Sequence, residues 1–304
     1  MQVRTPAEQL FFVTVHLTAR GPGGTTTGTG FVYSVETDRG AAHFLVTNKH
    51  VLDGAGDQLD LQMVAANADG TPAFGRSARI SVSDVPGARS DHSDPDIDVA
   101  ALPLGGILEA LAAAGTPPFF RAVSPEHVYT EAQVDQVVDA IEEVIFVGYP
   151  DSIFDTHNFT PVLRTGTTAT PIALDFAGKP RFLIDASVFP GSSGSPVFLM
   201  DRSGSYRDKN GTIQMGSPRF ALLGILHAVR VRQVDADVIE VPTRFGIRLA
   251  DPINLGIVFK AGTIDDCVEP LLAHAGLTRG RRAEATAPTA ADTALANTSE
   301  GGNE

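Results

Sequence analysis

The chain has 304 residues, 43% of them hydrophobic and 19% charged, which is ordinary globular material long enough to bury a sizeable core in one large or two small domains. A net charge of −13 and a pI near 5.0 argue against nucleic acid or an anionic membrane surface as the main partner. Cys267 is the single cysteine, so no intrachain disulfide can form, which suits a reducing compartment or a lineage that makes no disulfides, and a cytoplasmic setting is the expectation.

The 30 Gly and 20 Pro, spread along the chain, favour many short strands over a helical bundle. The N-terminal run Leu10-Phe11-Phe12-Val13 is broken by Thr14 and His16, and reads as the start of a strand rather than as the apolar core of a signal peptide. No stretch approaches the roughly 18–20 apolar residues of a membrane span, so no membrane association is expected. The run from Gly21 to Gly30 has the glycines of a phosphate loop, but it lacks Gly-Lys-Ser/Thr and leads into the strand Phe31-Val32-Tyr33. A hairpin with tight packing beside it is the expectation there.

A strand over residues 41–47 ends at Asn48-Lys49-His50, and alternation predicts further strands over 59–64 and 78–82. An acidic loop, Asp91 to Asp96, runs into Ile97-Asp98-Val99-Ala100-Ala101-Leu102. Helical spacing appears over 107–114 and 131–141, and strands resume at 143–147, 162–164, 182–184, 197–199, 220–226, 228–231 and 245–248. Residues 201–217 read as an exposed hairpin, 264–277 as an amphipathic helix with Pro270 inside it, and 278–304 as a disordered tail. The expected organisation is a first unit over 8–125, a connector over 126–142, a second unit over 143–262, a helix over 263–277 and the tail.

Three places could carry chemistry. His50 ends an apolar strand in a short turn, where a general base has a rigid support and one ring nitrogen exposed. Asp98 has apolar flanks on both sides, so its carboxylate needs a partner, whereas Asp96 follows Pro95 in a solvated loop. The alternation Asp94-x-Asp96-x-Asp98 resembles part of a calcium loop, yet the loop glycine and distal glutamate are missing. The turn Phe189-Pro190-Gly191-Ser192-Ser193-Gly194-Ser195-Pro196 lies between two apolar runs and places Ser193 at its apex. A serine there can act as a nucleophile, with the N–H groups of Gly191 and Ser193 set to receive an oxyanion.

The order His50, Asp98, Ser193 and the segments around them resemble the trypsin/chymotrypsin-like serine peptidases. Phe44 to Val51 is similar to the family's histidine segment, Asp98-Val99-Ala100-Ala101-Leu102 to its aspartate segment, and Gly191 to Pro196 to its G-x-S-G-x-P loop. Gly28 to Val32 and Leu223 to Leu226 fit the framework strands, and the resemblance spans roughly residues 8–260. It implies an all-β chain of two antiparallel six-stranded barrels with the site between them. It further implies a serine endopeptidase of the bacterial-type branch without disulfides, acting on a protein or peptide and needing no cofactor or metal. Ser193 would be the nucleophile, His50 the base, Asp98 the orienting carboxylate, and the Gly191 and Ser193 N–H groups the oxyanion hole. Ser192 stands where animal members carry the aspartate that pairs with a newly cut N-terminus, so activation by N-terminal insertion is not expected.

The primary specificity pocket would be lined by Ser187 and by the segment His227-Ala228-Val229. Ser187 in place of an aspartate argues against a preference for Lys or Arg. His227 either reads an acidic substrate side chain or is a wall residue with no such role. The alternative function is a peptide-binding or regulatory module on the same fold, with weak or gated catalysis and a regulatory partner of unknown kind.

Overall fold

Several of the chain's strands are apolar on successive residues instead of every second one, and the architecture explains why. In the computed structural model, residues 1–21, 24–54, 58–201, 204–216, 219–240, 243–280 and 296–297 are described, and for 228–253 and 296–297 only the backbone. The expected disordered tail therefore lies almost wholly outside the described residues.

A short helix α1 (Pro6–Gln9), closed by a Thr5/Glu8 capping box, leads into a seven-stranded antiparallel sheet. Its strands are β1 (Thr14–Gly21), β2 (Gly24–Thr37), β3 (Gly40–Thr47), β4 (Gln58–Ala66), β5 (Pro72–Ser83), the two-residue β6 (Ser90–Asp91) and β7 (Ala100–Pro103). Their spatial order is β5-β4-β1-β2-β3-β7-β6. The glycine-rich run forms the β1–β2 hairpin, closed at Gly21 opposite Gly24. Helix α2 (Lys49–Asp53) follows β3, α3 (Val85–Ala88) follows β5, and α4 (Gly105–Ala113) follows β7.

After β8 (Arg121–Ala122), paired with the late segment Ala296–Asn297, helix α5 (Glu131–Val137) starts at a Thr130/Gln133 capping box. The second half is a closed antiparallel six-stranded barrel of β9 (Glu143–Gly148), β10 (Val162–Thr168), β11 (Arg181–Asp185), β12 (Pro196–Met200), β15 (Phe220–Glu240) and β16 (Thr243–Lys260). The expected exposed hairpin is β13 (Ser205–Arg207) with β14 (Ile213–Met215). The terminal helix α6 (Asp265–His274) follows a 3-10 turn over Ala261–Ile264 and contains Pro270. No helix among the described residues is long and apolar enough to cross a membrane.

Each half has its own core, and a third core joins them. Val32, Leu45, Leu59, Leu61 and Leu102 fill the first, and Val144, Phe146, Phe182, Ile184 and Val258 the second. The alternate residues of the same strands, Phe31, Tyr33, Val46, Ile145, Val147 and Phe198, meet between the halves together with Ile264, Val268 and Leu272 from the C-terminal end. Strands β2, β3, β9 and β12 are thus buried on both faces, which is what their unbroken apolar runs require. Cys267 belongs to this central core, and burial pushes its thiol up to about 12.

One buried histidine makes the fold sensitive to acid. His16 on β1 packs 4.7 Å from the Tyr149 ring and 5.0 Å from Phe154, and its Nε2 has no partner among the described residues. Burial, helped by the charge of Arg79, lowers it to about 4. The unfolded chain protonates this ring first, so its contribution is intact above the ordinary histidine range and is lost as pH falls toward 4. Urea denaturation of the wild type should show a loss between pH 7 and pH 4.5 that exceeds that of His16→Phe by roughly 2 kcal/mol. Equal losses in the two proteins would remove His16 from the account.

Candidate active site

The three candidate groups sit at strand ends: His50 follows β3, Asp98 precedes β7 and Ser193 lies in the loop before β12. Strand β3 pairs with β7 so that Thr47 faces Ala100, which brings His50, three residues past one, beside Asp98, two residues before the other. His50 lies in the first turn of α2 rather than in an irregular turn. Its main-chain N–H donates to Asp98 Oδ1 over 3.1 Å, and its ring Nδ1 is hydrogen-bonded to Asp98 Oδ2. That leaves Nε2 as the ring nitrogen without a partner among the described residues. The Asn48 side chain donates to the Asp98 main-chain carbonyl over 2.6 Å and ties the two segments together from behind.

Asp96 and Asp98 separate clearly. Asp96 and Asp94 pair with Lys179 at 3.1 and 3.0 Å on the surface, so the acidic alternation is an ion-pair cluster in this fold. Asp98 has a side chain only 14% exposed. Burial works to raise its carboxyl, but hydrogen bonds from His227 and His50 outweigh that and hold it far below the usual carboxylate range. The site therefore favours the carboxylate form.

The loop before β12 is shaped by two left-handed glycines and by a threonine from the other half. Gly191 has φ +82° and Gly194 φ +87°, and a Cβ at Gly194 would stand 1.9 Å from the Thr29 carbonyl oxygen. No side chain fits there. Thr29 on β2 donates its hydroxyl to the Gly191 carbonyl over 2.9 Å and accepts from the Tyr149 N–H over 3.1 Å. Its own N–H donates to the Ser193 carbonyl over 2.9 Å, and its carbonyl accepts the Thr47 hydroxyl over 2.7 Å. The loop is therefore clamped by the opposite half of the molecule. Among the described residues neither the Gly191 N–H nor the Ser193 N–H has an acceptor, whereas the Ser192, Gly194 and Ser195 N–H groups donate to Phe189, Leu226 and Ser192 carbonyls.

Of the three serines in the loop, Ser192 and Ser195 are buried to within 1% and their hydroxyls have no partner among the described residues. Ser193 is half-buried. Its hydroxyl donates to the His227 carbonyl over 2.7 Å, and no hydrogen bond joins it to His50. The structure thus pairs His50 with Asp98 and keeps Ser193 in the loop before β12, with its hydroxyl turned to the His227 carbonyl on β15.

The residues expected to line a specificity pocket are placed differently from one another. Ser187 is half-buried in the segment after β11 and makes no bond to the other candidates. Ala228 pairs through its backbone with Ile257, and its side chain lies outside the described residues. The His227 ring turns to Asp98, with Nδ1 2.6 Å from Oδ2. His50, Asp98 and His227 are all metal-ligating types and lie close together. A tetrahedral zinc site with bonds of roughly 2.0 Å would hold its ligand atoms about 3.3 Å apart. The 2.6 Å contact is that of a charge-assisted hydrogen bond. Thr29 and Asn48, which hold the site, were not marked by the sequence: neither breaks the local pattern around it.

An antiparallel closed barrel joined to a second antiparallel sheet, with a histidine, a carboxylate and a loop serine at the seam, defines a chymotrypsin-like fold. Residues 28–205, more than half of the chain, match the trypsin-like peptidase domain, and the chain belongs to that family. Solved structures of low similarity include the HtrA-type protease AlgW with a tripeptide, 15% identical, covering 89% of this chain and 63% of that one with a TM-score of 0.48. The catalytically active tobacco etch virus protease complexed with product is 15% identical, over 93% and 86% of the two chains, with a TM-score of 0.47. The serine endoprotease from Yersinia pestis is 16% identical, over 89% and 66%, with a TM-score of 0.43. The chain thus spans less than two thirds of the length of the HtrA-type protease. No curated protein sequence matches it.

Proposed function

We propose that the chain is a serine endopeptidase that cleaves protein or peptide substrates through an acyl-enzyme, with His50, Asp98 and Ser193 as its triad. The observation that carries this reading is the pairing of a half-exposed imidazole with an ionised, hydrogen-bonded carboxylate beside a loop whose single accessible serine adjoins two unengaged N–H groups. Rotation of the Ser193 side chain away from the His227 carbonyl turns Oγ to His50. The Oγ–H proton then passes to Nε2 while an Oγ electron pair bonds the scissile carbonyl carbon and the carbonyl π pair moves onto oxygen. The Gly191 and Ser193 N–H groups take up that negative charge, a contribution of about 10²–10³ in turnover for one such donor. As the tetrahedral species collapses, the C–N bond breaks and His50 returns its proton to the leaving amine. Water, deprotonated by His50, repeats the sequence on the ester and frees the acid. Asp98 remains a carboxylate throughout and stabilises the imidazolium. Ser187 and Ala228 would lie toward the substrate's side chain, and the reaction needs no cofactor.

The rest position of Ser193 on the His227 carbonyl favours one second reading, a peptide-binding module on this fold whose catalysis is gated by what moves that hydroxyl. A fluorophosphonate probe separates the two. An endopeptidase reacts stoichiometrically at Ser193 in the isolated chain, as peptide mapping by mass spectrometry would read. A gated module reacts only when a peptide is present, and absence of any adduct in either condition removes both.

A further inference from the structure

Resting on the peptidase reading, the geometry points to His227 as a positioning residue: a second imidazole bonded to the same Asp98 oxygen as His50, which must be neutral for His50 to act. Three contacts place it. Its Nδ1 lies 2.6 Å from Asp98 Oδ2, the atom that also holds His50 Nδ1. Its ring stands edge-on to the His50 ring, 5.5 Å between centroids at 82°. Its main-chain carbonyl accepts the Ser193 hydroxyl over 2.7 Å. One residue therefore touches all three members of the proposed triad. The Phe259 ring on β16 backs it, 5.3 Å away at 64°, and fixes its plane.

A carboxylate oxygen that accepts from two ring N–H groups is held from two sides, so Asp98 cannot swing away from His50. The same sharing has a cost in charge. When His50 takes the proton from Ser193 it becomes a cation balanced by Asp98. If His227 is already protonated, two imidazoliums face one carboxylate, and the second positive charge raises the energy of the very state the reaction must reach. Asp98 and His50 are the titratable groups that meet His227 among the described residues. Its other contacts, Ser193 and Phe259, carry no charge. The pair should therefore lose activity with two protons instead of one.

Steady-state kinetics of the full-length wild type, His227→Gln and His227→Ala on a peptide substrate, from pH 8 down to the acid limit of folding, tests this. On the acid side log(kcat/KM) of the wild type should fall with a slope that exceeds 1 and approaches 2. In His227→Gln, whose amide still donates to Asp98 but does not titrate, the slope should be 1, with kcat lower by no more than about tenfold. His227→Ala, which removes the donor, should lose about 10² in kcat with KM nearly unchanged. A wild-type slope of 1 that His227→Gln leaves unaltered overturns the inference. So does a rise in KM at constant kcat in His227→Ala, which would make the ring a wall of the substrate pocket. Should the wild type cleave nothing, the peptidase reading fails by itself, and imidazole NMR titration of the same proteins still decides on His227. Its replacement by Gln should raise the His50 midpoint, and an unmoved midpoint overturns the coupling.

Discussion

Ser193→Ala should lower turnover by roughly 10⁴–10⁶ while leaving the thermal unfolding midpoint within a degree or two of the wild type. The magnitude follows from the number of steps that need the hydroxyl: without it no acyl-enzyme forms, and only oriented water remains. The small effect on folding follows from what the hydroxyl does at rest, which is one half-buried bond to the His227 carbonyl. Ser195→Ala is the sharper control. The Ser195 hydroxyl is fully buried with no partner among the described residues, so removing it should leave turnover within about twofold and stability unchanged or slightly higher. Comparable losses in the two variants, measured by peptide hydrolysis after circular dichroism has established that both are folded, would mean that the loop and not one oxygen is responsible.

The contrast between these serines shows what could be read from residue order and what could not. The motif singled out Ser193, and its apex position is visible in a run bounded by two apolar stretches. Asp98 was legible for a related reason: a charge inside an apolar run has to be paired, and Asp96 one turn of the loop earlier did not meet that condition. Helical spacing over 107–114 and 131–141 marked the break between two blocks of strands. The clamp made by Thr29 and the direction of the His227 ring had no local signal. Thr29 sits in a run of threonines and glycines where nothing distinguishes it from Thr27, yet it bonds a loop 162 residues away. Such a clamp depends on how the halves meet, which is set by the core shared between β2, β3, β9 and β12. His227 was visible only as a histidine near a pocket wall. The direction of its ring is decided by a register irregularity in the β15–β16 ladder between Leu226 and Ala228, and a bulge of that kind changes which side of a strand a residue occupies.

The carboxylate carries the second large effect. Asp98→Asn should reduce kcat by about 10⁴ with little change in stability. As an anion, Asp98 accepts at both oxygens: Oδ1 from the His50 main-chain N–H, and Oδ2 from two imidazole Nδ1–H groups. Asparagine has one carbonyl oxygen and one NH₂. With the carbonyl placed on the main-chain N–H, the NH₂ faces both rings, and each must present a bare Nδ1 and carry its proton on Nε2. His50 in that tautomer cannot take the proton of Ser193. With the amide reversed, His50 keeps the useful tautomer but its main-chain N–H meets a donor, and the imidazolium formed in the reaction has lost its counter-charge. Either arrangement disables the base, whereas neither removes apolar packing, so folding should survive. Initial rates on a peptide substrate, with urea denaturation alongside, would check both halves of the expectation. A loss smaller than about tenfold in a folded protein would show that His50 does not depend on this carboxylate, and the role of the whole pair as base and support would have to be abandoned.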